Sequence, residues 1–246
     1  PAEAAGRLRR EAEPLCRVTD PHVTRLLGLC TLEQAPGLLV EYLENGDLNE
    51  FLRRAPHDPT RGDGPLDLGS LVYISEQIAA GMEHLESLAI VHRDLAARNC
   101  LVGHRLKVKV GDLGPSREQY ASDYVTLPDG RVIPLRWRAP EALFTEEMST
   151  RSDVWSFSVT LWEVLTWCRL QPLAHMTDAA VTDRLAGCRE PAPEPHLQQP
   201  NACPADLYQL MMQCWRLRPH ERPSFKEIRA ILQRKSADFE HSAEEL

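Results

Sequence analysis

Residues 91–100 read Val-His-Arg-Asp-Leu-Ala-Ala-Arg-Asn-Cys, and what flanks this run constrains the fold most. Before it, Leu71, Ile74, Ile78, Met82 and Leu85 recur every three or four residues, the period of an amphipathic helix with one buried face. After it, Leu101-Val102 and Lys107-Val108-Lys109-Val110 read as a short hairpin, the second strand alternating with period two. The polar run between helix and hairpin puts Asp94 five residues before Asn99, with Arg93 and Arg98 beside them. A second acid, Asp112 in Gly111-Asp112-Leu113-Gly114, follows eighteen residues after Asp94. Phosphoryl transfer to a hydroxyl needs such a set: a carboxylate to orient the hydroxyl and accept its proton, and oxygen ligands to hold magnesium against the phosphates. The plain alternative, a polar turn between a helix and a strand, needs none of these groups at this spacing.

At 246 residues, 43% of them hydrophobic, the chain can bury a sizeable core as one large domain or two fused lobes. A formal net charge of −8 without a Lys/Arg cluster argues against nucleic acid or an anionic membrane surface as main partner. Cysteines 16, 30, 100, 168, 188, 203 and 214 form no C-x-x-C pair and no metal-ligand spacing. That pattern suits free, mostly buried thiols in a reducing compartment. No apolar run approaches the roughly 20 residues of a membrane span, and the N-terminal arginines lack an apolar signal core.

Pro1 to Val18 predicts a helix that is kinked or starts late at Pro14, because an interior proline costs ~3 kcal/mol. Val23–Cys30 and Gly37–Tyr42 read as two strands, and Asn45-Gly46-Asp47 as a turn capping a short helix, Leu48 to Arg54. Residues 55–65, with three prolines and two glycines, read as a solvated loop. Pro115 to Leu135 shows little periodicity and is expected to be a long, mobile loop. Ser152 to Thr166 is apolar nearly all round, which indicates a helix buried on all sides. Two more helices follow, Ala205 to Cys214 and one opening on the capping box Ser224-Phe225-Lys226-Glu227, before a polar, frayed end from Ser236.

Taken together, these motifs resemble the catalytic domain of protein tyrosine kinases. His92-Arg93-Asp94-Leu95 through Asn99 is similar to the family's catalytic loop, with Ala96-Ala97-Arg98 in its tyrosine-kinase form. Asp112-Leu113-Gly114 stands where the family has Asp-Phe-Gly, and Ala139-Pro140-Glu141 matches Ala-Pro-Glu. The resemblance implies an α+β, two-lobed protein kinase fold: residues 1–43 as part of the small lobe, 44–235 as the mainly helical large lobe, and 236–246 as a tail. It implies ATP and Mg2+, with Asp94 as base, Arg98 positioning the substrate tyrosine, and Asn99 and Asp112 on the metal. Glu41, Leu43 and Leu101 would meet the nucleotide, with Val40 as gatekeeper. Glu11, or alternatively Glu13, occupies the place of the helix glutamate that holds a strand lysine. Tyr120 and Tyr124 fall where activation-loop tyrosines lie, and a phosphate on Tyr124 would pair with Arg93. Structural roles are implied for His92, for Leu113 as an apolar plug, for a Glu141–Arg222 ion pair, and for Asp153 anchoring the catalytic loop from below.

Within the tyrosine kinases, Glu44-Asn45-Gly46-Asp47-Leu48-Asn49 and Thr160-Leu161-Trp162-Glu163 followed by Cys168-Arg169-Leu170-Gln171-Pro172 are most similar to the discoidin-domain receptors, which are collagen receptors. Neurotrophin-receptor-like kinases share Gly46-Asp47-Leu48-Asn49. The implied setting is a single-pass receptor with this domain at the cytoplasmic face of the plasma membrane. Its implied partners are protein tyrosines, including trans-autophosphorylation in a receptor dimer, and a collagen-type ligand bound by a part outside this chain, with no nucleic acid.

Two family features are missing. There is no Gly-x-Gly-x-x-Gly run, and the first lysine is Lys107. The chain is therefore expected to begin part-way into the small lobe. A pseudokinase or scaffold is the alternative class, disfavoured by the presence together of Asp94, Asn99 and Asp112. Residues 1–246 alone are expected to transfer phosphate poorly or not at all. Robust turnover by this stretch, lost on Asp94→Asn, would contradict that expectation.

Overall fold

The structure, a computed structural model, describes residues 16, 18–32, 35–56, 66–111, 119–127, 129–187, 196–201 and 203–244. Most of the predicted first helix, with Glu11 and Glu13, lies outside the described residues, as do residues 57–65, Asp112 and Leu113. Strands β1 (Leu26–Leu32) and β2 (Ala35–Val40) pair antiparallel, Gly28 opposite Leu39, with a register shift between Leu26 and Gly28. The pairing starts later than the predicted Val23, because the preceding segment is engaged elsewhere. Val23 bridges to Val110, and Thr24 N–H donates to the Val110 carbonyl at 2.8 Å.

Asp47 caps α1 (Leu48–Arg54), its carboxylate accepting from Glu50 N–H at 2.9 Å. Helix α2 (Leu68–Ser87) begins three residues before the predicted Leu71, because Asp67 and Ser70 close a capping box. Strands β3 (Cys100–Val102) and β4 (Val108–Val110) form the expected hairpin. The stretch expected to be irregular holds more order than its sequence suggests. Its described part contains a 3-10 turn at Ala121–Asp123 and a hairpin of β5 (Val125–Thr126) and β6 (Val132–Ile133), turned by Gly130 at φ +85°. Two residues per strand are too few to display an alternating pattern.

Helices α3 (Pro140–Phe144), α4 (Thr150–Leu165), α5 (Asp178–Ala186), α6 (Ala205–Cys214) and α7 (Phe225–Glu244) complete the mixed α+β fold. Helices α3 and α5 were not expected. The polar stretch from Ser236 is helical as far as Glu244, where a frayed end was expected.

Helix α4 has almost no solvent face: every residue from Ser152 to Leu165 is buried. It packs on α2 and α6, while α2 and α7 form the most extensive helix pair. Phe157 of α4 meets Phe225 of α7 edge-on at 5.7 Å. The His196 ring lies between Trp155 and Trp215, at 4.8 and 5.4 Å. Burial, followed by the charge of Arg184, pushes the His196 pKa down to about 3, so this imidazole is a neutral packing group. Glu141 and Arg222 form a two-pronged ion pair at 2.5 and 2.9 Å, with Arg222 enclosed and its guanidinium over Trp155.

The strand region is locked onto the helical region at Gly81. A Cβ there would lie 2.4 Å from the His22 carbonyl oxygen and 3.1 Å from Val110 Cγ2. That carbonyl accepts from Val110 N–H at 2.8 Å, so it has little freedom to withdraw. Alanine for glycine inside a helix ordinarily stabilises by roughly 0.5–1 kcal/mol. At Gly81 the sign should reverse: we expect Gly81→Ala to destabilise by about 1–3 kcal/mol in urea denaturation. An unchanged or raised midpoint would show that the contact relaxes.

Candidate active site

The polar loop 91–99 is held by two carboxylates on α4. Asp153, in its first turn, accepts from His92 N–H at 2.8 Å and Arg93 N–H at 2.9 Å. These bonds fix Arg93 at φ +73°, a left-handed conformation costing an L-residue roughly 1–2 kcal/mol. The two bonds to a charged acceptor outweigh that cost. The His92 ring completes the turn: Nε2–H faces the Gly111 carbonyl at 3.1 Å, and Nδ1 accepts from Asp94 N–H at 3.3 Å. His92 thus ties the loop to the residue preceding Asp112.

Glu163, ten residues further along α4, is the second anchor. It accepts from Ala97 N–H at 3.0 Å and from the Trp137 indole N–H at 2.8 Å. One buried carboxylate thereby joins the loop to the segment that leads into α3. Sequence reasoning quoted Glu163 within a motif but gave it no role. The available signal was an acid inside an otherwise apolar, enclosed helix. Arg136, which sequence reasoning gave no individual role, donates to the Leu173 and Met176 carbonyls, at 2.7 and 2.9 Å, and to Asp178 at 2.8 Å.

The side chains of the loop converge on Arg98, which is almost fully enclosed. It donates to Asp94 at 2.8 Å, Asp123 at 3.2 Å and the Tyr124 hydroxyl oxygen at 3.0 Å. Its guanidinium lies 4.5 Å from the Trp137 ring centroid and 4.7 Å from that of Tyr124. Burial alone would lower its pKa, but Asp94, Tyr124 and Glu163 outweigh it and hold Arg98 above its usual range. The Tyr124 hydroxyl in turn donates to Asp94 Oδ2 at 2.6 Å. Burial pushes the Tyr124 pKa up to about 12, with Asp94 adding to the rise and Arg98 opposing it. A neutral phenol therefore rests its proton on a carboxylate, the arrangement that precedes proton transfer to a base.

Asn99 donates through Nδ2 to the Asp94 carbonyl at 2.5 Å, while its Oδ1 is buried without a partner. An enclosed amide oxygen left unsatisfied is rare, and it is a ligand type that magnesium accepts. The donor chemistry present thus fits a hard cation. Among the described residues no group of three or more His, Cys, Asp or Glu forms a metal site, and Asp112 lies outside them.

On the opposite side of the β3–β4 hairpin, Glu41 binds Lys109 Nζ at 2.6 Å and Arg25 N–H at 2.7 Å. Burial would raise its carboxyl, but these two partners hold it below the usual range. Glu41 N–H is engaged by the Arg25 carbonyl at 3.0 Å. Leu43 is buried, Leu101 half-buried, and Leu101 bridges to Asp47. Tyr120 is enclosed, its hydroxyl donating to Asp47 Oδ1 at 2.7 Å. The Arg93 side chain is exposed. Asp94, Arg98, Asn99, Tyr124, Arg93, His92 and Asp153 therefore come together at one place, while the Tyr120 hydroxyl is turned to Asp47 and the Glu141–Arg222 pair is engaged with itself.

Burial, opposed by Arg98 and the two N–H donors, raises the Glu163 pKa from 4.5 to about 7. A carboxyl with a raised folded pKa takes up a proton on folding, so its stabilising contribution is complete below the unfolded value and is lost as pH rises through the folded one. We expect the stability difference between pH 5 and pH 7.5, measured by chemical denaturation, to be smaller in Glu163→Gln by at most about 3 kcal/mol. The same difference in parent and variant would contradict the titration of this group.

The model for protein tyrosine and serine/threonine kinases matches residues 2–232. The chain is 40% identical over 235 residues to the epithelial discoidin domain-containing receptor 1 of Homo sapiens, covering 91% of this chain and 26% of that protein. It is 43% identical over 235 residues to the high affinity nerve growth factor receptor of Mus musculus, covering 92% and 28%. To the BDNF/NT-3 growth factors receptor of Gallus gallus it is 41% identical over 230 residues, covering 91% and 27%. Both receptor types that the sequence resembles are thus represented, and the chain spans about a quarter of their length. With the family model running along nearly its whole length, the chain belongs to the protein tyrosine and serine/threonine kinase family.

Proposed function

We propose that this chain is the catalytic domain of a receptor-type protein tyrosine kinase that transfers the γ-phosphate of ATP to tyrosine hydroxyls. The observation that carries the reading is the Tyr124 hydroxyl on Asp94 Oδ2, with Arg98 bonding both partners. In this reading Asp94 is the base and Arg98 seats the acceptor phenol, stacking on its ring and aligning its oxygen. Asn99 Oδ1, with Asp112, would hold Mg2+, which supplies charge neutralisation at the phosphates when bound. Glu41 and Leu43 would offer backbone groups to the adenine and Leu101 would meet the nucleotide, with Glu11 and Leu113 in the family's supporting roles. Residues 1–43 would belong to the small lobe and 44–235 to the large one.

The receptor likeness supports a placement at the cytoplasmic face of a membrane, protein tyrosines as substrates, and trans-phosphorylation within a dimer. No helix among the described residues is long and apolar enough to cross a membrane. Tyr124 occupies the acceptor position itself, so the arrangement is self-blocked until that side chain leaves or is modified.

The test is magnesium-ATP-dependent phosphorylation of a tyrosine peptide by the full-length protein. Loss of the proton acceptor in Asp94→Asn should lower kcat by about 10²–10⁴. Tyr124→Phe removes a hydrogen bond to a charged group, worth roughly 1.5–3 kcal/mol. It should raise the initial rate about tenfold and shorten any lag. Parental activity that survives Asp94→Asn would sink the assignment of the base, and a Tyr124→Phe variant no faster than the parent would sink the self-block.

A further inference from the structure

One cavity is lined by two guanidinium groups, those of Arg93 and Arg138, that have no carboxylate partner among the described residues. Arg138 follows Trp137 and leads into α3. Its Nε is enclosed without a hydrogen-bond partner, and Nη1 reaches only the Met148 thioether sulfur, at 2.7 Å. A thioether is a weak acceptor. Burial, with the positive charges of Arg131 and Arg93 adding to it, depresses the Arg138 pKa, while Asp94 and Asp153 act against that from beyond ion-pair distance. Arg93, held at its backbone by Asp153, has an exposed side chain with no carboxylate partner among the described residues.

Arg93 and Arg138 line a cavity of about 650 Å³ with Leu127, Val132, Leu143 and Met148. A third arginine on its wall, Arg131, is already neutralised by Asp129 and Glu146, at 2.6 and 2.8 Å. In a chain of formal net charge −8, two cations without a carboxylate partner among the described residues, on one cavity of mixed lining, form an anion seat. An enclosed charge without a counter-ion is costly, and a carboxylate offers arginine a matched two-pronged partner.

Tyr124 indicates where such a carboxylate would come from. Its hydroxyl rests on Asp94, and three residues later Leu127 already lines the cavity. Three extended residues span about 10 Å. A peptide whose acceptor tyrosine sits as Tyr124 does, running in the same direction, brings its next three residues over Arg93 and Arg138. We propose that Arg138, together with Arg93, is a carboxylate-recognition subsite that selects acidic side chains one to three residues C-terminal to the tyrosine being phosphorylated. This rests on the tyrosine-kinase reading of the site.

The experiment uses the full-length protein and three peptides that share an acceptor tyrosine and neutral N-terminal flank but carry Glu, Gln or Lys at the three following positions. In the parent, kcat/KM for the Glu peptide should exceed that for the Gln peptide by about tenfold, with the Lys peptide poorer still. Arg138→Met should bring the Glu/Gln ratio within about twofold of unity, and Arg138→Lys should keep most of the preference. A ratio near unity in a parent that turns over the Gln peptide, or the same ratio in parent and Arg138→Met, overturns the subsite. Turnover of none of the peptides counts against the tyrosine-kinase reading instead. The Glu/Gln affinity ratio, read by fluorescence anisotropy on parent and Arg138→Met, then decides the subsite by the same criterion.

Discussion

The site depends on a carboxylate buried in a helix that has almost no solvent face. Asp153 accepts both the His92 and Arg93 N–H groups, and burial, the largest influence on its ionisation, pushes its pKa upward against those donors. An acid enclosed in this way would cost several kcal/mol if it were left unpaired. The loop is therefore where it is because the helix needs its donors. Glu163 repeats the arrangement ten residues on with Ala97 and Trp137. Two anchors on one rigid rod fix the position and direction of the polar run between them.

From that fixed loop the remaining geometry follows. Arg98, enclosed between the rings of Tyr124 and Trp137, gathers Asp94, Asp123 and the Tyr124 hydroxyl around one guanidinium. Asn99 turns its amide nitrogen to the Asp94 carbonyl and leaves its buried oxygen without a hydrogen-bond partner. The same contacts that would seat a substrate phenol also hold the chain's own tyrosine, so binding and restraint share one set of groups. Gln171, which donates to Asp123 at 3.1 Å, extends the restraint to the loop after α4.

Much of this is written locally in the sequence, and some of it is not. The polar run, the amphipathic α2, the hairpin after it and the enclosed α4 all appear in residue order, because periodicity and capping act within a few residues. Helix α5 left too little signal, since only Val181 and Leu185 of its nine residues are buried. The β5–β6 hairpin is too short for a pattern, and Asp67 with Ser70 moved the start of α2 beyond its apolar stripe. The role of Glu163 depends on donors 66 and 26 residues away, and the Tyr124–Asp94 contact spans 30. Such pairings follow from three-dimensional packing, and no local rule announces them.

The most direct test of the central claim is residue-resolved amide hydrogen exchange on the intact domain. If α4 carries the loop, the N–H groups of His92, Arg93 and Ala97 exchange only with global unfolding, as slowly as those of the α4 core. Those of His92 and Arg93 should speed up selectively in Asp153→Asn, while Ala97, whose N–H is held by Glu163, should not. Exchange of these three amides in the parent as fast as at Gly130 in the β5–β6 turn would contradict the account, because the loop would then be moving independently of the helix that is said to hold it.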